Sequence, residues 1–540
     1  MRRAHHSTPA PRTLAAATGP ADPGHADAPN APSPSTRRRF ASVLGRLGVT
    51  LTAALTVAAT SAALAPALAA GATAPTTEDP TRAPYDLAVD APVLIVLGQS
   101  NAVGWTTKVT NSADKAQCEA FAHVKSLNRL ENRVVGALGA TWKPYTCVGS
   151  NLGQDRYAAY GEPDIYSTYN TATLSALRWE RAIKAGTNLP DLHVIHVAWG
   201  AQGIQEAAGP NRNRWWPDRD LADIESLHQL TLNTISNGLR ALREAGKRPR
   251  IIGMHWNQWE TETQTASTIS ADQVQRAFLG VLGPLQTISG GTSFPVFLYR
   301  PRTASTHIRT QYVTDALTGL AARPAPNPYR LLDAAQAVSA TGTPLYDPAI
   351  PKNLGIYNDG IHYTRAVQEW FADQQWKTVF TDKQFGAPVQ ATENAALGRP
   401  ATQSSTNWAG REEAGNAVDG NTGGVYWEAT PSYTKYEAQP WWQVDLGAKR
   451  TIRSVELFNR TDRLFERLTD FDVIVSDTDL TGRGWADIQA DPTVRKIRIK
   501  GTAPTKLTVA VGADGRYVRV QLAGTNHLTL PEVQVNVPIG

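Results

Sequence analysis

At 540 residues, 41% of them hydrophobic and 19% charged, the chain has the length for two or three domains and enough apolar content to bury a core in each. Its formal net charge of +5 is an N-terminal effect: of 53 Lys+Arg and 48 Asp+Glu, seven Arg and two Asp fall in the first 70 residues, which leaves 46 of each sign behind them. That balance excludes the basic footprint of a nucleic-acid or anionic-membrane binder.

Residues 1–36 are rich in Ala, Pro, Ser and Thr and read as disordered. Thr36-Arg37-Arg38-Arg39-Phe40 then precedes an apolar run from Val43 to Leu68 that ends in the small-residue pattern Ala67-Leu68-Ala69-Ala70. Paired arginines, an apolar stretch and such a site are the marks of a twin-arginine export signal, so residues 1–70 are expected to be removed and the protein secreted, with no membrane partner afterwards. An uncleaved anchor is the competing reading. Residues 71–84 read as a linker. The two cysteines, Cys118 and Cys147, either pair after export or remain two free thiols.

From 85 to 382 strand-like and helix-like segments alternate. Pro92 to Leu97 is a buried strand, followed at once by Gly98-Gln99-Ser100-Asn101. Asp191 to Trp199 is a second strand, ending at Gly200-Ala201-Gln202-Gly203. Residues 223–246 carry helical leucine spacing and stop at Gly246. Arg250 to Trp256 is a third strand, ending at Asn257-Gln258-Trp259-Glu260. A helix over Ser270–Thr287, a strand over Phe294–Tyr299, a short strand near Tyr329–Ala335 and a last helix over Thr364–Phe380 complete the pattern. The alternation argues for a three-layer α/β domain with a mainly parallel sheet, which brings the three polar clusters to one sheet edge.

A serine after a buried strand is either a helix cap or a nucleophile. The second role needs a base and an orienting acid, and Asp359-Gly360-Ile361-His362, just before the final helix, holds such a pair three residues apart. His193, His196 and His255 lie within strands and read as structural.

Gly98-Gln99-Ser100-Asn101, Trp256-Asn257-Gln258-Trp259-Glu260 and Asp359-x-x-His362, in that order, resemble the SGNH hydrolase superfamily, and within it the sialate O-acetylesterase-like group related to carbohydrate esterase family six. The third block of that group reads Trp-x-Gln-Gly-Glu, so Trp259 stands at its Gly position; its second block reads Gly-Gly-Thr, of which Gly200-Ala201-Gln202 keeps the first residue. The resemblance implies a flavodoxin-like fold with Ser100 as nucleophile, His362 as general base and Asp359 as its orienting partner. It implies an oxyanion hole from the backbone N–H groups of Ser100 and Gly200 and the side-chain amide of Gln258, with Asn257 a second candidate for that amide. Trp259, Glu260, Gln99 and Asn101 are the expected substrate-binding residues, with holding the pocket's polar network together the alternative role for Glu260. No cofactor or metal is needed for this chemistry.

Residues 383–392 lack periodicity and read as a linker. From 393 to 540 short alternating segments (Trp441–Leu446, Ser454–Phe458, Phe471–Val475, Leu507–Val511, Tyr517–Leu522, Glu532–Val535) are separated by turn residues, with no amphipathic helix evident: an all-β sandwich. Asn416-Ala417-Val418-Asp419-Gly420-Asn421, Pro440-Trp441-Trp442-Gln443-Val444-Asp445-Leu446-Gly447 and Gly515-Arg516-Tyr517-Val518-Arg519-Val520 resemble a discoidin-type, galactose-binding-like jelly roll, most closely the F-type, fucose-binding lectins. The sugar motif of that group ends in Arg-x-Asp-x₄-Arg/Lys, matched by Arg460, Asp462 and Arg467; its His falls at Tyr433, and its vicinal Cys pair at Arg463-Leu464. The resemblance also implies a structural calcium ion held through Asn416, Asp419, Asn421, Thr430 and Glu532. The whole chain then reads as a secreted carbohydrate O-acetylesterase with an appended glycan-binding module. The competing readings are a non-catalytic lectin on a hydrolase scaffold and an SGNH esterase or lipase of non-carbohydrate esters.

Overall fold

The computed structural model describes residues 84–127, 140–147, 150–153, 168–204, 215, 226–264, 270–290, 294–301, 310–323, 329–350 and 354–539; the expected export signal lies outside them. Among the described residues no helix is long and apolar enough to cross a membrane.

The first half is a seven-stranded sheet: β1 (Asp90–Gly98), β2 (Val124–Leu127), β3 (Trp142–Pro144), β4 (Leu192–Ala198), β5 (Arg248–Asn257), β6 (Val296–Arg300) and β7 (Tyr329–Asp333), in the order β3-β2-β4-β1-β5-β6-β7. All pairs are parallel except the β2–β3 edge. β1 is wholly buried, and its side chains divide by parity. Val93, Ile95 and Leu97 join a core with the Leu227–Glu244 and Ala271–Ile288 helices, whereas Leu94 and Val96 face the core with the Thr171–Lys184 helix. Period-two alternation with both faces apolar is what a central parallel strand covered on two sides requires. The helix boundaries follow the caps: Ser226 accepts from the Gln229 N–H, Ser270 and Gln273 form a capping box, and Thr364 accepts from the Val367 N–H ahead of the Arg365–Phe380 helix. Cys118 and Cys147 are joined in a disulfide, which resolves the choice left open by sequence.

β4 and β5 lie on opposite sides of β1, so the chain reverses its direction of travel across the sheet there. Such switch points open a crevice at the carboxyl ends of the strands, and Ser100, Gly200 and Asn257 follow or end the three strands concerned.

The stretch from 383 to 392 is pinned to the first half. Val389 N–H donates to the Pro249 carbonyl, Arg250 donates to the Gly386 carbonyl, and the Phe385 ring packs edge-on against Tyr85.

The second half is antiparallel: β8 (Thr392–Asn394), β9 (Ala401–Gln403), β10 (Ser432–Tyr433), β11 (Glu437–Ala438), β12 (Trp441–Phe458), β13 (Thr469–Ser476), β14 (Arg495–Thr502), β15 (Lys506–Leu522), β16 (Thr525–Asn526), β17 (Thr529–Leu530) and β18 (Glu532–Pro538). Its main sheet runs β14-β13-β15-β12-β18-β8, with β9 also on β12 and two short pairs, β10–β17 and β11–β16, beside it. β12 and β15 are each one long strand where the sequence reads as two; register shifts after Asp445 and Ile452 bend the pair. A six-residue helix, Trp485–Ala490, interrupts what reads as helix-free.

The halves are packed together through polar pairs. From the Leu227–Glu244 helix, Gln229 and Asn233 donate to the carbonyls of Thr508 and Lys506, Asn233 accepts from the Thr508 N–H, and Asn237 accepts from Lys506 Nζ at 2.6 Å. Four helical residues rise about 6 Å and two strand residues about 6.6 Å, so an Asn/Gln stripe at i, i+4, i+8 matches alternate residues of β15.

Candidate functional site

β1 ends at Gly98, where φ is +143° and a Cβ would collide with the Asn257 carbonyl, so only glycine brings the chain this close to β5. Ser100 opens a four-residue helix, and Gly200 is so near that a Cβ on it would stand 3.8 Å from that of Ser100. Across the crevice His362 Nε2 lies 3.1 Å from Ser100 Oγ, and His362 Nδ1 lies 2.6 Å from Asp359 Oδ2. Asp359 Oδ1 also accepts the backbone N–H groups of Ile361 and His362, at 3.0 and 2.8 Å. Partial burial works against the Asp359 charge, but the bonds from His362 and the two amides hold its carboxyl below the usual range. With the Nδ1 proton donated to Asp359, the Nε2 lone pair faces the serine hydroxyl. That is the geometry for taking a proton from a nucleophile.

Two segments more than 250 residues apart must be held in register for this, and Asn101 does it. Its Nδ2 donates to the Ile361 carbonyl at 3.0 Å and to Glu260, and its Oδ1 accepts the Tyr363 N–H at 2.8 Å. Gln99 Nε2 donates to the other oxygen of Glu260, and Thr261 Oγ1 donates to Gln99 Oε1 at 2.6 Å. Gln99, Asn101 and Glu260 are buried and bonded to one another, so they buttress the crevice. Burial pushes the carboxyls of Glu260 and Glu262 up to about 7.

Gln258 also departs from its expected place. Its Nε2 donates to the Gln202 carbonyl, to Glu262 Oε2 at 3.2 Å and to Gln99 Oε1 at 3.3 Å, so the amide is engaged inside the network. The amide of Asn257 is buried and has no hydrogen-bond partner among the described residues. Trp259 does not line the crevice either. It is fully buried, packed on Phe278 at 5.7 Å and on Trp256 at 6.2 Å between ring centroids. Its φ of +110°, and the +58° of Ala201, are glycine-favouring values at two positions where the resemblance places glycine. The turn geometry is retained without glycine, at a strain of about 1–3 kcal/mol for such a residue, which the burial of the indole offsets. Glu262, Thr261 and Gln368, which donates to the Asn101 carbonyl at 2.8 Å, were not legible as site residues; only the Glu260-x-Glu262 repeat gives a signal.

The strand histidines are structural. His196 bonds the Ala102 carbonyl, His255 lies between Tyr299 OH and Gln375 Oε1 at 2.7 Å each, and burial lowers them and His193 to about 4.

In the second half, Arg460 makes a two-point pair with Asp462, at 2.9 and 2.8 Å, which keeps the Asp462 carboxyl far below its usual range. Arg467 donates to Tyr433 OH and stands over its ring. Tyr426 links the two arginines: Arg460 stacks on it at 5.1 Å, and its ring centroid is 6.4 Å from that of Tyr433. His527 lies against Tyr433 at 5.1 Å, so an imidazole reaches the motif's histidine region from another strand connection. Trp408 and Trp427 are exposed beside them with Arg411 between, 4.9 Å from each ring. Tyr426, His527 and this aromatic pair escape sequence reading because they lie outside the spaced motif.

The expected calcium residues are also in place to be tested. Glu532 is fully buried; its Oε2 accepts the Gly420 N–H at 3.3 Å, and its Oε1 has no partner among the described residues. Burial first, then the charge of Asp419, push its carboxyl up to about 8. An unpartnered buried carboxylate oxygen suits a hard cation. Among the described residues no group of three or more His, Cys, Asp or Glu gathers for a metal, so amide, hydroxyl and carbonyl oxygens of Asn416, Asn421 and Thr430 would complete the set with Asp419. Asp419 Oδ1 and Asn421 Oδ1 presently accept the N–H groups of Asn421 and Gly423.

A family model described as a NedA-like, galactose-binding domain matches residues 416–520. Fucolectin-6 of Anguilla japonica is 34% identical over 148 residues, 27% of this chain and 75% of that protein. Fucolectin of Anguilla anguilla is 34% identical over 149 residues, 27% of this chain and 91% of that protein. Among solved structures, the lectin domain of lectinolysin complexed with Lewis B antigen is 35% identical and covers 27% of this chain and 96% of its own, with a TM-score of 0.23. Through its C-terminal domain the chain belongs to the fucolectin family.

Proposed function

We propose that the protein is a secreted carbohydrate O-acetylesterase whose fucolectin-type domain holds it on a glycan. The observation that carries the hydrolase reading is the hydrogen-bonded run Ser100–His362–Asp359 at the switch point of the parallel sheet. Ser100 attacks the ester carbonyl, His362 takes its proton and returns it to the leaving sugar hydroxyl, and Asp359 stabilises the imidazolium. The backbone N–H groups of Ser100 and Gly200 and the free amide of Asn257 are the oxyanion donors in this reading, replacing Gln258. Water then releases acetate by the same steps. Tethering raises the substrate concentration the crevice sees. The disulfide agrees with an oxidising compartment. An acyl-chain series of aryl esters tests the substrate class in the full chain: fastest turnover is expected with acetate, and a preference for long chains would point to a lipase instead.

For the second site we infer fucose-containing glycans, on the resemblance to the fucolectins and on Arg460 and Arg467 as multiple donors to sugar oxygens. On a glycan array, Arg460→Ala and Arg467→Ala are expected to weaken binding about 10- to 100-fold, the worth of a charged hydrogen bond or two. Wild type that ignores every fucosylated glycan sinks this assignment.

Calcium, when bound, neutralises the Asp419–Glu532 pair. Without it the raised Glu532 pKa means that the native state keeps a proton the unfolded chain releases. Stability of the calcium-free protein is then full below about 4.5 and falls as pH rises to about 8. Melting scans with chelator and with added calcium should show that fall and its removal, with a gain of about 2.7 kcal/mol at 100-fold Kd. Curves that coincide at pH 8 would exclude the ion.

A further inference from the structure

We propose that the cleft between the two halves binds an anionic sugar unit, gripped by Arg243 and Arg453. The cleft has a volume of about 410 Å³ and is walled by Arg240 and Arg243 of the Leu227–Glu244 helix, Gln390 of the connecting stretch, and Arg453 and Asn536 of the sandwich. Its charges do not balance. Arg240 pairs with Glu456 at 2.9 Å and with Glu244 at 3.7 Å, and Glu456 also holds the buried Lys506 at 2.9 Å. Both carboxylates facing the cleft are therefore engaged. The Arg243 side chain makes no ion pair or hydrogen bond among the described residues. Arg453 donates from Nη2 to Gln390 Oε1 at 2.6 Å, while its Nη1 is buried with no partner. Four cations thus meet two carboxylates, and the two unpaired guanidinium groups are close enough to repel. Burial, then Arg240 and Arg453, hold the Arg243 guanidinium below its ordinary pKa, and burial does the same to Arg453.

Arg243 feels the carboxylates of Glu456 and Glu244 at a distance but pairs with neither, and two half-buried guanidinium groups without a direct carboxylate partner are stabilised by an anion that both can fork. The volume falls in the range of small-ligand sites. Ser236, Gln390, Asn536 and Ser454 make the rest of the wall polar, bonded in turn to Glu456, to Arg453 and the Ile539 carbonyl, and to each other. The anion is read from the arginines alone; its being part of a sugar rests on the glycan reading above. None of Arg460, Asp462 and Arg467 lines this cleft, so it is a separate site.

Titration calorimetry of the full chain with digalacturonate, with neutral digalactose and with inorganic sulfate tests the proposal. Digalacturonate is expected to bind, more weakly at higher salt, and digalactose not to bind. Arg243→Ala and Arg453→Ala should each weaken digalacturonate about tenfold or more, and Arg460→Ala should leave it unchanged. Arg243→Lys, which keeps the charge and removes the fork, should give an intermediate loss; it serves also if the alanine variants melt early. Absent digalacturonate binding, or binding untouched in both arginine variants, overturns the site. Sulfate binding as tightly as digalacturonate overturns the sugar part. Loss of digalacturonate in Arg460→Ala assigns it to the fucolectin site and overturns the cleft; failure of fucose binding alone leaves the cleft standing.

Discussion

Aryl-acetate turnover is expected to fall by about 10⁴-fold or more in Ser100→Ala, with the fold and the melting temperature unchanged. Among the described residues, Ser100 is the hydroxyl that His362 Nε2 meets, at 3.1 Å. His362→Ala should lose about as much as Ser100→Ala, and the double variant little more, because the two act in one step. Asp359→Asn should keep the shape of the loop but turn the imidazole to the wrong tautomer, with a loss of similar order. The bonds from His362 and the two amides hold the Asp359 carboxyl below the usual carboxylate range, so activity is not expected to show a carboxylate limb within that range. Asn257→Ala separates the two amides: as an oxyanion donor it should lower kcat by about 10²–10³, while Gln258→Ala should act mainly on stability through the Glu262 and Gln202 contacts. Full turnover in Ser100→Ala would overturn Ser100 as the nucleophile, and no turnover in the wild type would leave the protein a lectin on a hydrolase-like scaffold.

Much of this site was readable without coordinates, for a physical reason. A strand buried on both faces must be apolar at every position, so the abrupt change at Gly98-Gln99-Ser100-Asn101 marks where it leaves the sheet. Asp359 and His362 are close in sequence, and one turn suffices to join them. What sequence reading could not give was the direction of each side chain in a third cluster whose backbone is unusual. With φ at +110° Trp259 turns its indole away from the crevice into the core, and the neighbouring Gln258 follows the buried network, leaving Asn257 as the free amide. Periodicity assumes ordinary backbone and misassigns such positions. The edge strands β2 and β3 and the helix over Thr171–Lys184 were missed because short or Thr- and Ala-rich segments carry little apolar rhythm. In the sandwich the spaced motif led to Arg460, Asp462 and Arg467, but His527 comes from a distant segment that no spacing rule reaches. The Gln229, Asn233, Asn237 stripe was visible in the sequence, yet the leucines beside it dominated the reading of that helix.

That stripe flanks the contact with the second largest expected effect. Glu456→Ala should weaken the docking of the two halves by about 3–5 kcal/mol, because it leaves Lys506 buried without its counter-ion. Glu456 and Lys506 are almost wholly shielded from water, 1% and 0% exposed at the side chain, and stand 2.9 Å apart. Burial alone would raise the Glu456 carboxyl, but Lys506 and Arg240, helped by the Ser236 hydroxyl, bring it down to about 2. A folded pKa below the unfolded one stabilises the folded state above about 4.5, and that contribution disappears as pH falls toward 2. Wild type should therefore melt in one transition at neutral pH and lose its docking on acidification. Glu456→Ala should already show two transitions at pH 7, the acid-sensitive step should be gone, and a protease should gain access to the 383–392 connection. Lys506→Met offers the contrast: it removes the buried charge and leaves Glu456 with Arg240 and Ser236, so it should be much milder. Equal, small effects of both changes, with a single transition retained, would mean that the amide stripe to Thr508 and Lys506 holds the halves together without the ion pair.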